Sequence, residues 1–236
     1  MPEQQSDQPR ASVILAAAGS GTRLRAGAPK AFVELSGRTL LEHALIGIES
    51  AGIAAEVVVL APKSHLELAR GIARGAGPAA RVVAGGAERA DSVRLGLEAL
   101  QESDPDAAVL VHDCARPLAP AGLYRAAATA IAGGADAAVP ALPVADTIRQ
   151  LADDGEPRTL ERARLRACQT PQGFRLGALL DAAARPAGGD AAPVTDEAAL
   201  IEGAGGAVRL VDGDEAAFKI TTPLDLALAE ALLRER

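Results

Sequence analysis

Three stretches carry side chains of a type and spacing that can do chemistry. The first runs Gly19-Ser20-Gly21-Thr22-Arg23-Leu24 and continues through Gly27 and Pro29 to Lys30. Glycines that follow a strand let backbone N–H groups turn inward on anionic oxygens, and Arg23 and Lys30 add positive charge. Two common phosphate motifs are excluded. No Gly-Lys-Ser/Thr is present, as a P-loop requires, and Leu24 stands where the dinucleotide fingerprint needs its third glycine. The same loop also fits an ordinary strand-to-helix turn with cations on its surface. The second stretch is Gly85-Gly86-Ala87-Glu88-Arg89-Ala90-Asp91-Ser92. Its glycine pair lets a flat ligand approach closely, and Ser92, one turn into a helix, can read a polar edge. Read alone, it is equally a turn followed by a solvated serine. The third is His112-Asp113-Cys114-Ala115-Arg116-Pro117. Asp113, at a strand end, can reach ribose hydroxyls or a metal-bound water, and Arg116 can fork onto a phosphate. The alternative is an aspartate capping the next helix with Arg116 as its ion partner. His112 reads as a packed core histidine rather than a base.

Lysine usage sharpens the picture. Of 24 basic residues only Lys30, Lys63 and Lys219 are lysines, and a lysine kept among arginines suggests a need for a compact point charge. Lys30 and Lys219 both fall in loop or strand-end settings. Lys63, beside Pro62, reads as incidental.

These residues must be positioned by elements, and the pattern supplies them. Ser12 to Ala18 is an apolar run of the kind a strand buried on both faces shows. Thr39 to Ser50 has helical spacing, with Thr39 as cap and Glu42 three residues on. Further strands are expected at Glu56 to Leu60, Arg81 to Ala84, Ala107 to Val111 and Asp136 to Val139. Helices are expected at Pro62 to Arg74, Arg89 to Leu100 and Leu118 to Ala132. This alternation predicts a mainly parallel sheet covered by helices on both faces. Ligands in such sheets bind beyond the carboxyl ends of strands, where the loops after Ala18, Ala84 and Val111 lie.

The rhythm breaks between Ala141 and Gly173. Asp153-Asp154-Gly155 is a turn signal, and its flanks, Thr147 to Leu151 and Arg158 to Ala167, can pair as a long hairpin. With few apolar side chains it is either a loose insert or an arm that packs on another subunit. Beyond it, Phe174 to Ala184 reads as a helix and Asp190 to Pro193 as a loop. Thr195 reads as the cap of a helix that Asp196 and Glu197 open. Ala207 to Val211 and Phe218 to Thr221 read as strands, and Pro223 to Arg236 as a closing helix with proline in its first turn.

Composition bounds the function. The net charge of −7 argues against broad binding of a nucleic-acid backbone. An aromatic content of 2% argues against single-strand stacking platforms and leaves Ala, Leu and Val to fill the core. Cys114 and Cys168 lie far apart and outside any Cys/His cluster, which reads as free thiols in a reducing compartment rather than a zinc site. No run is long enough to span a membrane. Residues 1–10 are polar, lack an apolar signal core, and read as a disordered lead-in to a cytoplasmic protein.

The pieces LAAAGSGTRL with PK, then GGAERADSV, VHDCARP, ADTI, TPQGF, TDEA and FKIT occur in this order over nearly the whole chain. Together they resemble the 2-C-methyl-D-erythritol 4-phosphate cytidylyltransferase family of nonmevalonate isoprenoid synthesis. The resemblance implies one Rossmann-like α/β domain over residues 1–236, with residues 141–171 forming a β-arm that clasps a second subunit in a homodimer. It implies transfer of CMP from CTP to 2-C-methyl-D-erythritol 4-phosphate, with Mg²⁺ held mainly through the CTP phosphates. It matches Arg23 and Lys30 to the pair that stabilises the transition state. Arg162 and Lys219 match the pair that positions the erythritol phosphate, the arm arginine serving the partner's site. Asp113, Arg116 and Thr147 match polar residues around ribose and substrate. Ala17, Ala18, Gly86 and Ser92 match the cytosine pocket, with Gly19 and Gly21 in the loop that cradles the nucleotide. Ala31, Ala87 and Cys114 depart from the family's usual residues. Arg164 and Arg166 compete with Arg162, because alternate residues of a strand share a face. Related sugar nucleotidyltransferases, such as ribitol-5-phosphate cytidylyltransferases, match the glycine-rich loop and Lys30 but match the arm, DTI and TPQGF segments less well. A non-catalytic nucleotide-binding module is the third reading, disfavoured by intact Arg23, Lys30 and Lys219. From the length of 236 residues, the cyclodiphosphate synthase of the bifunctional fusions is not expected here.

Overall fold

The computed structural model describes residues 9–19, 21–24, 27–86, 89–102, 104–152, 155–184 and 196–235. Strand β1 (Ala11–Ala16) lies inside an eight-stranded sheet, between β4 (Ala54–Ala61) and β6 (Ala108–Asp113), and is parallel to both. Outside β4 lies β5 (Arg81–Ala84), also parallel. On the other side β6 pairs with β11 (Gln172–Arg175), which runs antiparallel and also pairs with β7 (Ala137–Pro143). The far end of that edge of β7 takes β10 (Arg166–Cys168), and its opposite edge takes β12 (Val208–Asp212) in parallel. Only β10 and β11 run against the rest, so the sheet is the mostly parallel, Rossmann-like one that the strand–helix alternation predicts.

Both faces of the central strands are buried, and the side-chain period of two sorts them into two layers. Val13, Leu15, Val57 and Val59 pack toward α1 (Leu40–Ala51), α2 (Leu66–Gly75), α4 (Ala121–Ala132) and α7 (Pro223–Arg234). Ile14, Val58, Leu60, Val109 and Val111 pack toward α3 (Arg89–Ala99), α5 (Leu176–Ala183) and α6 (Glu197–Gly203). The scarce aromatics go to the interior: Phe174 and Tyr124 are among the largest fully buried side chains. Helix α1 starts at the capping box of Thr39 and Glu42, as its sequence predicts, and Thr222 with Asp225 builds a second one on α7.

Several elements differ from expectation. A tight hairpin, β2 (Glu34–Leu35) with β3 (Arg38–Thr39), turns at Ser36 and Gly37, both with positive φ. The segment starting at Phe174 is strand before it is helix, because β6 and β7 both offer free edges to β11. The arm is not one long hairpin. Strands β8 (Arg149–Leu151) and β9 (Pro157–Thr159) pair only with each other, a 3₁₀ turn covers Arg162–Arg164, and β10 rejoins the main sheet. Residues 218–221 form no strand. The Ile220 N–H instead bonds the Ala115 carbonyl at 2.8 Å, which draws this segment to the end of β6. Asp196 caps α6, its carboxylate accepting the Ala199 N–H. The expected lead-in at residues 1–8, the turn residues Asp153 and Asp154, the 190–193 loop, the Thr195 cap and the departure at Ala87 lie outside the described residues. Among the described residues no helix is long and apolar enough to cross a membrane.

Candidate functional site

The chain leaves β1 for β4 and β5 and later returns on β1's other side as β6. The switch point between such halves opens a crevice at the carboxyl ends of the strands. A cavity of about 440 Å³ occupies it, lined by residues 16–19, 21, 23, 30, 31, 86, 89, 92, 113–115 and 219. Of the residues matched to function, Ala17, Ala18, Gly19, Gly21, Arg23, Lys30, Gly86, Ser92, Asp113 and Lys219 therefore share one hollow. Arg116, Thr147 and Arg162 do not line it.

Local geometry explains the glycines. Gly21 has φ +66°, and a Cβ there would lie 2.7 Å from the Lys30 Cβ. Its bare backbone lets the 3₁₀ turn at Lys30–Phe32 fold back over the loop. A Cβ on Gly85 would lie 2.4 Å from that of Ala18, so the two loops touch only because this position has no side chain. Ser92 is buried rather than solvated, and its Oγ accepts the Gly86 N–H at 3.0 Å. Ala17, Ala18 and Gly86 give this part of the cavity small walls.

Asp113 is the electrostatic centre. It does not cap α4, whose N-cap is Pro120. The Lys219 Nζ donates to its Oδ2 at 2.8 Å and the Arg89 Nε to its Oδ1 at 3.3 Å. Burial alone would raise this carboxyl, but Arg89 and Lys219 outweigh it and hold Asp113 well below the usual carboxylate range. Lys30 is lowered as well: burial, then the nearby charges of Lys219 and Arg23, pull its ammonium below the ordinary lysine range. Arg23, Lys30, Arg89 and Lys219 outnumber the carboxylates of Asp113 and Glu197, so the hollow is cationic within an acidic chain. Cys114 lies in its wall with burial pushing the thiol up, which keeps it protonated. Both cysteines are free.

The backbone behind Asp113 is also held. Its N–H donates to Thr170 Oγ1 at 3.0 Å, and that oxygen lies 3.0 Å from His112 Nδ1. His112 is fully buried against Tyr124, and burial lowers it to about 4, so at neutral pH it is an uncharged packing residue rather than a base.

Arg116 turns away from the cavity. Its guanidinium donates to the Ala217 carbonyl at 2.7 Å and the Cys168 carbonyl at 3.3 Å, tying the Lys219 segment to the root of the arm. A forked donor suits two carbonyls as well as a phosphate, which is why the sequence allowed both. Thr147 is exposed in the arm. Arg162 is exposed too and donates to its own chain's Ala145 carbonyl at 2.6 Å. It stands on a 3₁₀ turn with Arg164, so the strand alternation that made the arm arginines interchangeable does not apply. Sequence reasoning gave no role to Arg89, Glu197 or Thr170, although GGAERADSV, TDEA and TPQGF contain them.

A family model described as 2-C-methyl-D-erythritol 4-phosphate cytidylyltransferase matches residues 11–235. A protein of that name from Saccharopolyspora erythraea is 46% identical over 222 residues, covering 93% of this chain and 97% of that protein. The crystal structure of the enzyme of that name from Thermus thermophilus superposes with a TM-score of 0.72 at 40% identity, covering 95% of this chain and 99% of the other. The 4-diphosphocytidyl-2C-methyl-D-erythritol synthase of Anaerococcus prevotii superposes with a TM-score of 0.81 at 28% identity, covering 97% and 100%.

Proposed function

Because the chain belongs to the 2-C-methyl-D-erythritol 4-phosphate cytidylyltransferase family, we infer that its cationic hollow is where a cytidylyl group passes from CTP to the 4-phosphate of 2-C-methyl-D-erythritol. The reaction follows from membership. The products are 4-diphosphocytidyl-2-C-methyl-D-erythritol and pyrophosphate, in isoprenoid precursor synthesis.

An oxygen of the 4-phosphate bonds to the α-phosphorus of CTP, the bond from that phosphorus to the bridging oxygen breaks, and pyrophosphate carries the electron pair away. The nucleophile is already an anion and needs no strong base. The obstacle is repulsion between anions and charge growing on the α-phosphoryl oxygens, and the remedy is positioning and positive charge. The observation that carries the assignment is the convergence of Arg23, Lys30 and Lys219 from separate segments on one cavity. In this reading Arg23 and Lys30 meet the α-phosphoryl charge and Lys219 meets the acceptor phosphate. Gly19 and Gly21 cradle the triphosphate. Ala17, Ala18, Gly86 and Ser92 hold the cytosine, and Asp113 takes sugar hydroxyls. Arg116 positions the Lys219 segment from behind.

Arg162 and Thr147 enter this site from a second subunit. Support comes from the arm, where among the described residues β8 and β9 pair with no other strand and Ile148 and Leu151 are 37% and 70% exposed. An isolated hairpin of this size is marginal in water, and a second copy of the chain gives it a surface to cover. Mg²⁺ also fits the site. It takes hard oxygen donors, and the CTP phosphates would hold it, since Asp113, the carboxylate among the described lining residues, is already paired with Lys219 and Arg89. When bound, the ion neutralises phosphate charge.

Pyrophosphate release tests the assignment. CTP with methylerythritol phosphate should release it, and CTP with ribitol 5-phosphate should not. Release with ribitol 5-phosphate alone would move the chain's substrate elsewhere, and no release with either would leave a binding module.

A further inference from the structure

The glutamate of the TDEA segment makes a contact that gives it a place in the site. Glu197 opens α6 with a side chain only 4% exposed, and both its carboxylate oxygens accept from the same Arg89 nitrogen, Oε2 at 2.6 Å. The far side of that guanidinium reaches Asp113 through Nε. The start of α6 is itself pinned, since Asp196 caps it and also accepts from Gln172 Nε2 on β11 at 2.9 Å. Arg89 is thus tethered between two carboxylates. Lys219 is not: its side chain is 41% exposed, and among the described residues Asp113 is the one hydrogen-bond partner of its ammonium.

The two counter-ions of Asp113 therefore differ in freedom. We propose that Glu197 is a positioning residue: by fixing Arg89 as the permanent counter-ion of Asp113, it leaves Lys219 free to move to the phosphate of the erythritol substrate. This rests on the reading that Lys219 meets that phosphate. A buried carboxylate that loses its last cation is strongly disfavoured. With Arg89 anchored, Asp113 stays compensated when Lys219 departs. Without the anchor, Arg89 keeps a single 3.3 Å bond to Asp113 beside a cleft that receives a triphosphate. Lys219 then becomes the carboxylate's main partner, and the substrate must compete for it.

Glu197→Gln keeps the size of the side chain, replaces one of the two oxygens that accept from Arg89 with a donor NH2, and removes its charge. Steady-state kinetics should show KM for methylerythritol phosphate raised about tenfold, with KM for CTP and kcat within about twofold of the parent. Glu197→Asp, which keeps the charge on a shorter reach, should fall between. A merely structural role would lower the melting temperature and leave the substrate split untouched. An unchanged KM for methylerythritol phosphate overturns the proposal, as does a parallel rise for both substrates. Lys219→Ala separates the two levels of inference. If its KM for methylerythritol phosphate is unchanged, the reading of the cleft falls and the proposal with it. If that KM rises while Glu197→Gln leaves it alone, only the proposal falls. Should Glu197→Gln not fold, Arg89→Lys replaces it, because one ammonium cannot hold both carboxylates. The same selective rise supports the proposal, and its absence overturns it.

Discussion

Burial and two neighbouring cations lower the proton affinity of Lys30, and in the proposed reaction incoming phosphates would relieve that repulsion. A cation kept in place before the reaction spends nothing on reorganising during it, which is the source of most electrostatic catalysis. Lys30→Ala and Arg23→Ala should each lower kcat on the order of 10²–10³-fold with little change in KM for CTP, measured by pyrophosphate release. A purified variant with near-full turnover would take that residue out of the assignment. These residues were legible because each sits in a short contiguous motif whose composition implies anion binding. Arg89 and Glu197 were not, because their role arises from a contact between residues 108 apart in the chain. Arg116 was legible as a forked donor but not in its target, since the carbonyls of Ala217 and Cys168 converge on it only in the folded chain.

Among the elements, β6 carries the most consequence. It ends in His112 and Asp113, one buried neutral and one buried charged, both leaning on Thr170. His112 is lowered from 6.5 to about 4 by burial. Between those values the unfolded chain binds a proton that the folded chain refuses, so stability is complete above pH 6.5 and falls as the pH drops toward about 4. The loss should be on the order of 3 kcal/mol, and denaturant titrations across this window should show it. His112→Gln, which does not titrate, should flatten the slope, and an equal slope in the variant would place its origin elsewhere. The neighbouring strands show where pattern reading ends. The central strands were legible because both faces are apolar. Strand β11 was not, because Gln172-Gly173-Phe174-Arg175 has no such run and is held by the free edges of β6 and β7. The Ser36-Gly37 turn was a missed signal, a positive-φ pair of the kind two-residue hairpins favour. Residues 218–221 had strand composition, but the Ile220 N–H goes to the Ala115 carbonyl, a tertiary choice no local pattern contains.

At the scale of the whole molecule, the hollow holds most of the matched residues, and the arm carries Thr147 and Arg162 outside its lining. The dimer proposed above would reunite them. Mixing Lys30→Ala chains with Arg162→Ala chains, each inactive alone, should restore part of the activity through hybrid dimers that contain one intact site. No rescue, with subunit exchange confirmed, would return Arg162 to its own subunit or remove it from the site. The distribution of lysine has another outcome. The chain carries three; Lys30 and Lys219 line the hollow, and Lys63 stands exposed outside its lining. To an amine-directed label such as an aldehyde or an acylating agent, the side chains offer three targets, two in the hollow and one outside it. A nucleotide seated as proposed above should shield Lys30 and Lys219, and Lys63 serves as the built-in standard against which that shielding is counted.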